Sequence, residues 1–146
     1  MQYNIPYFFN KSDRNIKKLI KEQYGDFLEW SYISSLLTNF DGGYIIVSYE
    51  KKLILEAFTL FNINGYGLVM NLHVVCSRES YNKTILINTI FTYCISNSIN
   101  ICRICILSYL LNFYINHDFV LDNILYKRSE IKYYSMNRNF NRQKYI

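Results

Sequence analysis

Hydrophobic and polar positions change period several times along the chain, and each change marks an element. Gln2 to Phe9 is mostly apolar and aromatic and predicts a first strand. Ser12 or Asp13 then offers a helix N-cap. From Arg14 to Gln23, Ile16, Leu19 and Ile20 share one side of a helix whose other side carries Arg14, Lys17, Lys18 and Lys21. Gly25 ends that helix. Trp30 to Asn39 repeats the helical spacing at Trp30, Ile33, Leu36 and Leu37. Past the Asp41-Gly42-Gly43 turn come three apolar runs, Tyr44 to Tyr49, Leu53 to Phe61 and Leu68 to Val75. They are joined by the short links Glu50-Lys51-Lys52 and Asn62 to Gly67, which predicts an antiparallel meander. Ile87, Ile90, Phe91 and Cys94 then predict a helix over Thr84 to Ile95. Ile99 to Leu107 reads as a strand, Tyr109 to Asn116 as a short helix, and Phe119 to Tyr126 and Phe140 to Ile146 as closing strands. The order is β-α-α-β-β-β-α-β-α-β-β. It predicts a mixed α/β (α+β) fold with a mostly antiparallel sheet, and the length suits one domain over 1–146.

Composition narrows the class. Half the residues are hydrophobic and 18% are charged, too apolar a balance for intrinsic disorder. The most apolar stretch, Ile99 to Ile115, is interrupted by Asn100, Arg103 and Asn112 and falls short of the roughly 20 residues a spanning helix needs, so no membrane segment is expected. The net charge of +5 suits an anionic ligand, an acidic peptide or RNA and selects none of them. The basic residues of the first helix, and the C-terminal scatter of Lys127, Arg128, Lys132, Arg138, Arg142 and Lys144, read most simply as solvated faces. Cys102 and Cys105 form a CxxC. Residues three apart in a strand face opposite sides, so the two thiolates cannot share a zinc. Both are expected to be buried structural thiols, and no metal site is implied. Without a signal peptide or a framework of cysteine spacings, a soluble protein of a reducing compartment is expected. The abundance of Ile, Asn, Tyr and Lys matches an AT-rich genome, so no tyrosine is credited with function merely for being present.

Several segments carry a resemblance. Phe113-Tyr114-Ile115-Asn116-His117-Asp118-Phe119 looks like the "LY-x-x-x-GF" signature of the GNAT N-acetyltransferase superfamily. Leu72-His73-Val74 looks like the end of that family's fourth strand, and Ile85 to Phe91 like the start of the helix after its coenzyme loop. Phe27-Leu28-Glu29-Trp30-Ser31 and Lys132-Tyr133-Tyr134 resemble the "F-x-x-x-WS" and "KYY" motifs of ribosomal-protein alanine N-acetyltransferases. The chain also resembles the small GNAT proteins encoded by red-algal plastids, which makes a plastid stroma a plausible location. The resemblance spans nearly the whole length. It implies the GNAT fold, acetyl-CoA as co-substrate, and an amine acceptor such as a ribosomal protein N-terminus.

Residue by residue, the resemblance implies that pantetheine pairs with Leu72, His73 and Val74, and that the pyrophosphate sits at the N-terminus of the following helix. Arg78 matches the first residue of the "R/Q-x-x-G-x-G/A" loop. The places of its two glycines hold Tyr81 and Lys83, or Asn82 and Thr84 in a register shifted by one. The coenzyme-binding set is then Leu72, His73, Val74, Arg78, Tyr81, Asn82, Lys83 and Thr84. Tyr114 matches the tyrosine that protonates the departing thiolate, a general acid. The subfamily's two glutamates are absent, their places falling near Tyr66 and Leu107. Glu56 is a nearby acid that reads more simply as a strand surface residue, and His73 could face the cleft. Because the glycines and carboxylates are missing, a catalytically inactive GNAT-fold module binding RNA or a protein partner is the alternative.

Overall fold

The computed structural model describes residues 7–9, 14–27, 30–38, 42–48, 54–64, 68–128 and 131–140. Among these the elements are β1 (Tyr7–Phe9), α1 (Arg14–Tyr24), α2 (Trp30–Thr38), β2 (Gly43–Ser48), β3 (Leu55–Asn64), β4 (Val69–Ser77), α3 (Ser80–Ser96), β5 (Ile101–Leu107), α4 (Leu111–Asn116), β6 (Val120–Arg128) and β7 (Ile131–Asn139), with a 3-10 turn over Ser108–Leu110 before α4. This is the expected order. Two compact units are drawn from the chain, one from Met1–Asn62 and Val74–Thr89, the other from Ile63–His73 and Ile90–Ile146.

In the first unit the strands run β1-β2-β3-β4. β2 pairs antiparallel with β1 and β3. Tyr44, Ile45, Ile46 and Val47 are all buried, so both faces of β2 are covered. α1 and α2 supply Ile20, Tyr24, Ile33 and Leu37 to a core with Tyr44, Ile46, Leu55, Phe58, Leu60 and Val74. Lys18 and Lys21 of α1 remain exposed, the outer side of the expected amphipathic helix. Two glycines have local reasons. A Cβ at Gly25 would lie 2.9 Å from the Lys21 carbonyl oxygen, and one at Gly43 would lie 2.5 Å from the ring of Phe61, its cross-strand partner.

In the second unit the order is β4-β5-β7-β6, with β4 parallel to β5 and the other pairs antiparallel. Alternation along β5 buries Cys102, Ile104 and Ile106. They join Met70, Ile90, Cys94, Tyr114, Phe119 and Met136 among this unit's buried residues.

Some boundaries differ from expectation. β3 runs on to Asn64, through residues expected to turn. α3 begins at Ser80, a turn earlier than its apolar periodicity indicates, because its first turn is polar. The last strand is Ile131–Asn139 rather than a segment starting at Phe140, which follows it; residues 141–146 lie outside the described set. Cys102 is buried as expected, but Cys105 is exposed, because the same alternation that hides one residue turns out the residue three positions on.

Candidate functional site

β4 is longer than its pairing with β5. The parallel ladder joins Val69↔Ile101, Met70↔Cys102, Asn71↔Arg103 and Leu72↔Ile104, and among the described residues it ends there. Both strands run on, β4 to Ser77 and β5 to Leu107. Leu72 and Val74 turn inward and are buried, while His73 between them is half-buried. Burial lowers the His73 pKa from the usual histidine value, which keeps its imidazole neutral at pH 7.

Only Arg78 and Glu79 separate β4 from α3. The first bond of the helix ladder runs from Lys83 N–H to the Glu79 carbonyl at 3.1 Å, and the Ser77 hydroxyl donates to the same oxygen at 2.9 Å. Tyr81, Asn82, Lys83 and Thr84 therefore lie in the opening turns of a helix, not in a loop. Helical geometry spreads their side chains. Tyr81 is exposed, Asn82 is buried, and Lys83 and Thr84 are half-buried. The Asn82 amide donates to Glu56 Oε1 at 3.4 Å. Among the described residues only Ser98 and Asp118 combine a side chain with positive φ, so no residue at either glycine register needs left-handed backbone.

Arg78 is tied into the first unit. Its Nε donates to the Leu55 carbonyl at 3.2 Å and its Nη2 to the Gln23 carbonyl at 3.0 Å. The guanidinium lies 4.9 Å from the Tyr24 ring centroid, and the Arg78 backbone N–H donates to the Glu56 carbonyl at 3.0 Å. Tyr24 in turn donates its hydroxyl to the Leu55 carbonyl at 2.6 Å. Burial pushes the Tyr24 phenol above the usual tyrosine range. Arg78 thus pins the end of α1 and the start of β3 to the exit of β4.

Tyr114, in the second unit, is 1% exposed. Its carbonyl accepts from Phe119 N–H at 3.0 Å, while Asp118 N–H donates to the Ile115 carbonyl at 2.9 Å and Asp118 has φ 69°. That pattern is a Schellman cap with Asp118 at the left-handed position. Its usual hydrophobic clasp is the edge-on contact of the Tyr114 and Phe119 rings, 5.3 Å between centroids. The Phe113-to-Phe119 motif is therefore a helix stop in physical terms, and its glycine position is one that Asp fills at modest cost. The Asp118 carboxylate also meets Arg138 Nη1 at 2.7 Å. Burial raises the Tyr114 phenol above the usual range, with the Cys102 thiol adding to the shift, so Tyr114 stays protonated at neutral pH.

Arg103 is a residue that periodicity alone passes over as an interruption. It is half-buried on β5, and its Nε donates to Asn137 Oδ1 on β7 at 3.0 Å. A lone charge inside the run Ile101 to Leu107 was the available signal. No group of three His, Cys, Asp or Glu among the described residues is placed to hold a metal ion, and no described helix is long and apolar enough to cross a membrane.

No protein-family model matches the chain, and no curated protein sequence does. Solved structures do. An acyl-CoA N-acyltransferase from Pseudomonas aeruginosa superposes with a TM-score of 0.70 at 12% identity, over 92% of this chain and 99% of that one. An aminoglycoside 6'-N-acetyltransferase from Enterococcus faecium gives 0.71 at 11% identity, over 97% and 99%. A GNAT-family acetyltransferase from Bacillus cereus gives 0.64 at 11% identity, over 95% and 100%. Likeness at such low identity establishes the architecture alone: the chain has the GNAT acetyltransferase fold.

Proposed function

We propose that the chain, acting as one GNAT domain over residues 1–146, is an N-acetyltransferase that moves acetyl from acetyl-CoA to an amine. The observation that carries this reading is the β4–β5 ladder, which stops at Leu72↔Ile104 while both strands continue. Strand edge beyond a ladder is what an amide-bearing pantetheine arm pairs with. Leu72, His73 and Val74 provide that edge. The pyrophosphate is held at the positive end of α3, by the helix dipole and by Lys83, with Tyr81, Asn82 and Thr84 in the same opening turns. The first turn of α3 itself carries no acid, while Glu79 directly precedes it and Glu56 accepts from Asn82 within it. Arg78 contributes by fixing the exit of β4.

His73, neutral at pH 7, accepts the proton released as the amine nitrogen bonds to the acetyl carbon. Tyr114 donates its phenolic proton to the sulfur whose bond to that carbon breaks. Its raised pKa keeps the proton on but makes it a reluctant donor. The similarity to aminoglycoside and acyl-CoA acyltransferase structures, and the "F-x-x-x-WS" and "KYY" resemblances, support an amine acceptor. A ribosomal protein N-terminus in a plastid stroma is the finer assignment. The test is incubation with acetyl-CoA and a panel of peptides, polyamines and aminoglycosides, read by mass spectrometry. Acetylated product that depends on enzyme supports the reading. Coenzyme binding with no acetylated product from any amine would sink it.

A further inference from the structure

Alternation along the strands of the second unit gives its sheet two unlike faces. One is the buried face already described. The other presents Asn71 and His73 from β4, Arg103 and Cys105 from β5, and Asn137 from β7. Arg103 stands at the centre, in register with Asn71 on one side and Asn137 on the other. Its Nε bond to Asn137 Oδ1 fixes the plane of the guanidinium, and among the described residues its terminal nitrogens meet no other side chain. Among the described residues no carboxylate meets Arg103; the one ion pair there joins Arg138 and Asp118. A half-buried arginine in a strand is costly to place without a counter-charge, and its planar fork matches a carboxylate in two-point contact.

We infer that Arg103 is the anchor for an anionic acceptor, an amine with a carboxylate close by, and that it selects this class over neutral and cationic amines. The inference rests on the acetyltransferase reading for what happens to the amine, but the binding itself does not. Arg103 lies one ladder step before the pairing of β4 and β5 ends, on the same face as His73. A carboxylate held at Arg103 therefore brings the attached amine toward the proposed base. For a peptide, the favoured acceptor carries an acidic side chain just after its N-terminal residue.

The experiment uses three isosteric or near-isosteric probes, Ala-Glu-amide, Ala-Gln-amide and Ala-Lys-amide. Binding is followed by calorimetry without coenzyme, and turnover by mass spectrometry with acetyl-CoA. Wild-type protein should prefer the Glu probe over the Gln probe by at least about tenfold, as a desolvated charge-assisted contact implies. Arg103→Gln should bring that ratio to about one while the KM for acetyl-CoA is unchanged, and Arg103→Lys should restore part of it. Thermal melts check that each variant is folded. Charge-selective binding that vanishes in Arg103→Gln, with no turnover, keeps the anchor and discards the transferase reading. Turnover without charge preference, or a preference that survives Arg103→Gln, overturns the anchor and keeps the transferase. Neither binding preference nor turnover overturns both.

Discussion

Arg78→Ala separates a fold clamp from a phosphate ligand. The substitution removes two hydrogen bonds, to the Leu55 and Gln23 carbonyls, and the cation–π contact with Tyr24. The backbone bond to Glu56 survives it. Each lost hydrogen bond is worth about 1 kcal/mol net at a site open to solvent, and the exposed cation–π contact about 0.5 kcal/mol. Water solvates the freed carbonyls in part, so the expected loss is about 2 kcal/mol, or a Tm about 6 °C lower for a chain of this size. Arg78→Lys keeps the charge but not the fork and should recover less than half of that. Urea denaturation of both variants measures the loss. Acetyl-CoA affinity of the folded Arg78→Ala protein, measured below its melting range, should stay within about threefold of wild type, since no kcal-scale contact to coenzyme is assigned to it. A loss of stability under about 0.5 kcal/mol, or a tenfold fall in affinity at unchanged stability, would refute the clamp.

Other consequences follow from the helix ends and the proposed proton carriers. Ser98 has φ 58° at the C-terminal stop of α3, where Ile99 N–H bonds the Cys94 carbonyl at 2.9 Å. Ser98→Gly should therefore raise stability by about 0.5–1 kcal/mol, and Ser98→Val should lower it by at least as much, both read by denaturant midpoint. Tyr114→Phe keeps the ring contact with Phe119 and should lower kcat by about 10²-fold if the phenol is the acid, read on protein shown by thermal melt to be folded; unchanged kcat would remove that role. The pKa of His73 is lowered, so the unfolded chain takes up its proton first as pH falls. That contribution to stability is present above the unfolded histidine pKa and is lost as pH falls from there through the lower folded pKa. The acid limb of kcat/KM should lie below the ordinary histidine pKa, and His73→Gln should abolish that limb.

Where local pattern and tertiary role coincide, the sequence was readable. Alternation in Ile101 to Leu107 put Cys102 and Cys105 on opposite faces of β5, but the nearly continuous apolar run hid that the Cys105 side is open to solvent; Phe113 to Phe119 stood out because a helix stop imposes residue types at fixed offsets. The start of α3 was hidden because Ser80 to Lys83 is polar and carries no apolar period. The last strand was displaced because its interior mixes Lys, Tyr, Ser, Asn and Arg, a pattern that periodicity does not separate from a surface loop. Arg78 could be matched to a coenzyme motif, yet its partners Gln23 and Leu55 are distant in sequence, and no spacing rule brings them together. Arg103 and Asn137 meet across the β5–β7 pair for the same reason.

The central claim is that the edge of β4 and the opening turn of α3 bind acetyl-CoA. Calorimetric titration of wild type and Lys83→Glu with acetyl-CoA tests it most directly. The account predicts micromolar binding to wild type, weakened at least about tenfold when a carboxylate replaces the ammonium at the positive helix end. No detectable binding at millimolar coenzyme, or equal binding by the two proteins, would contradict it.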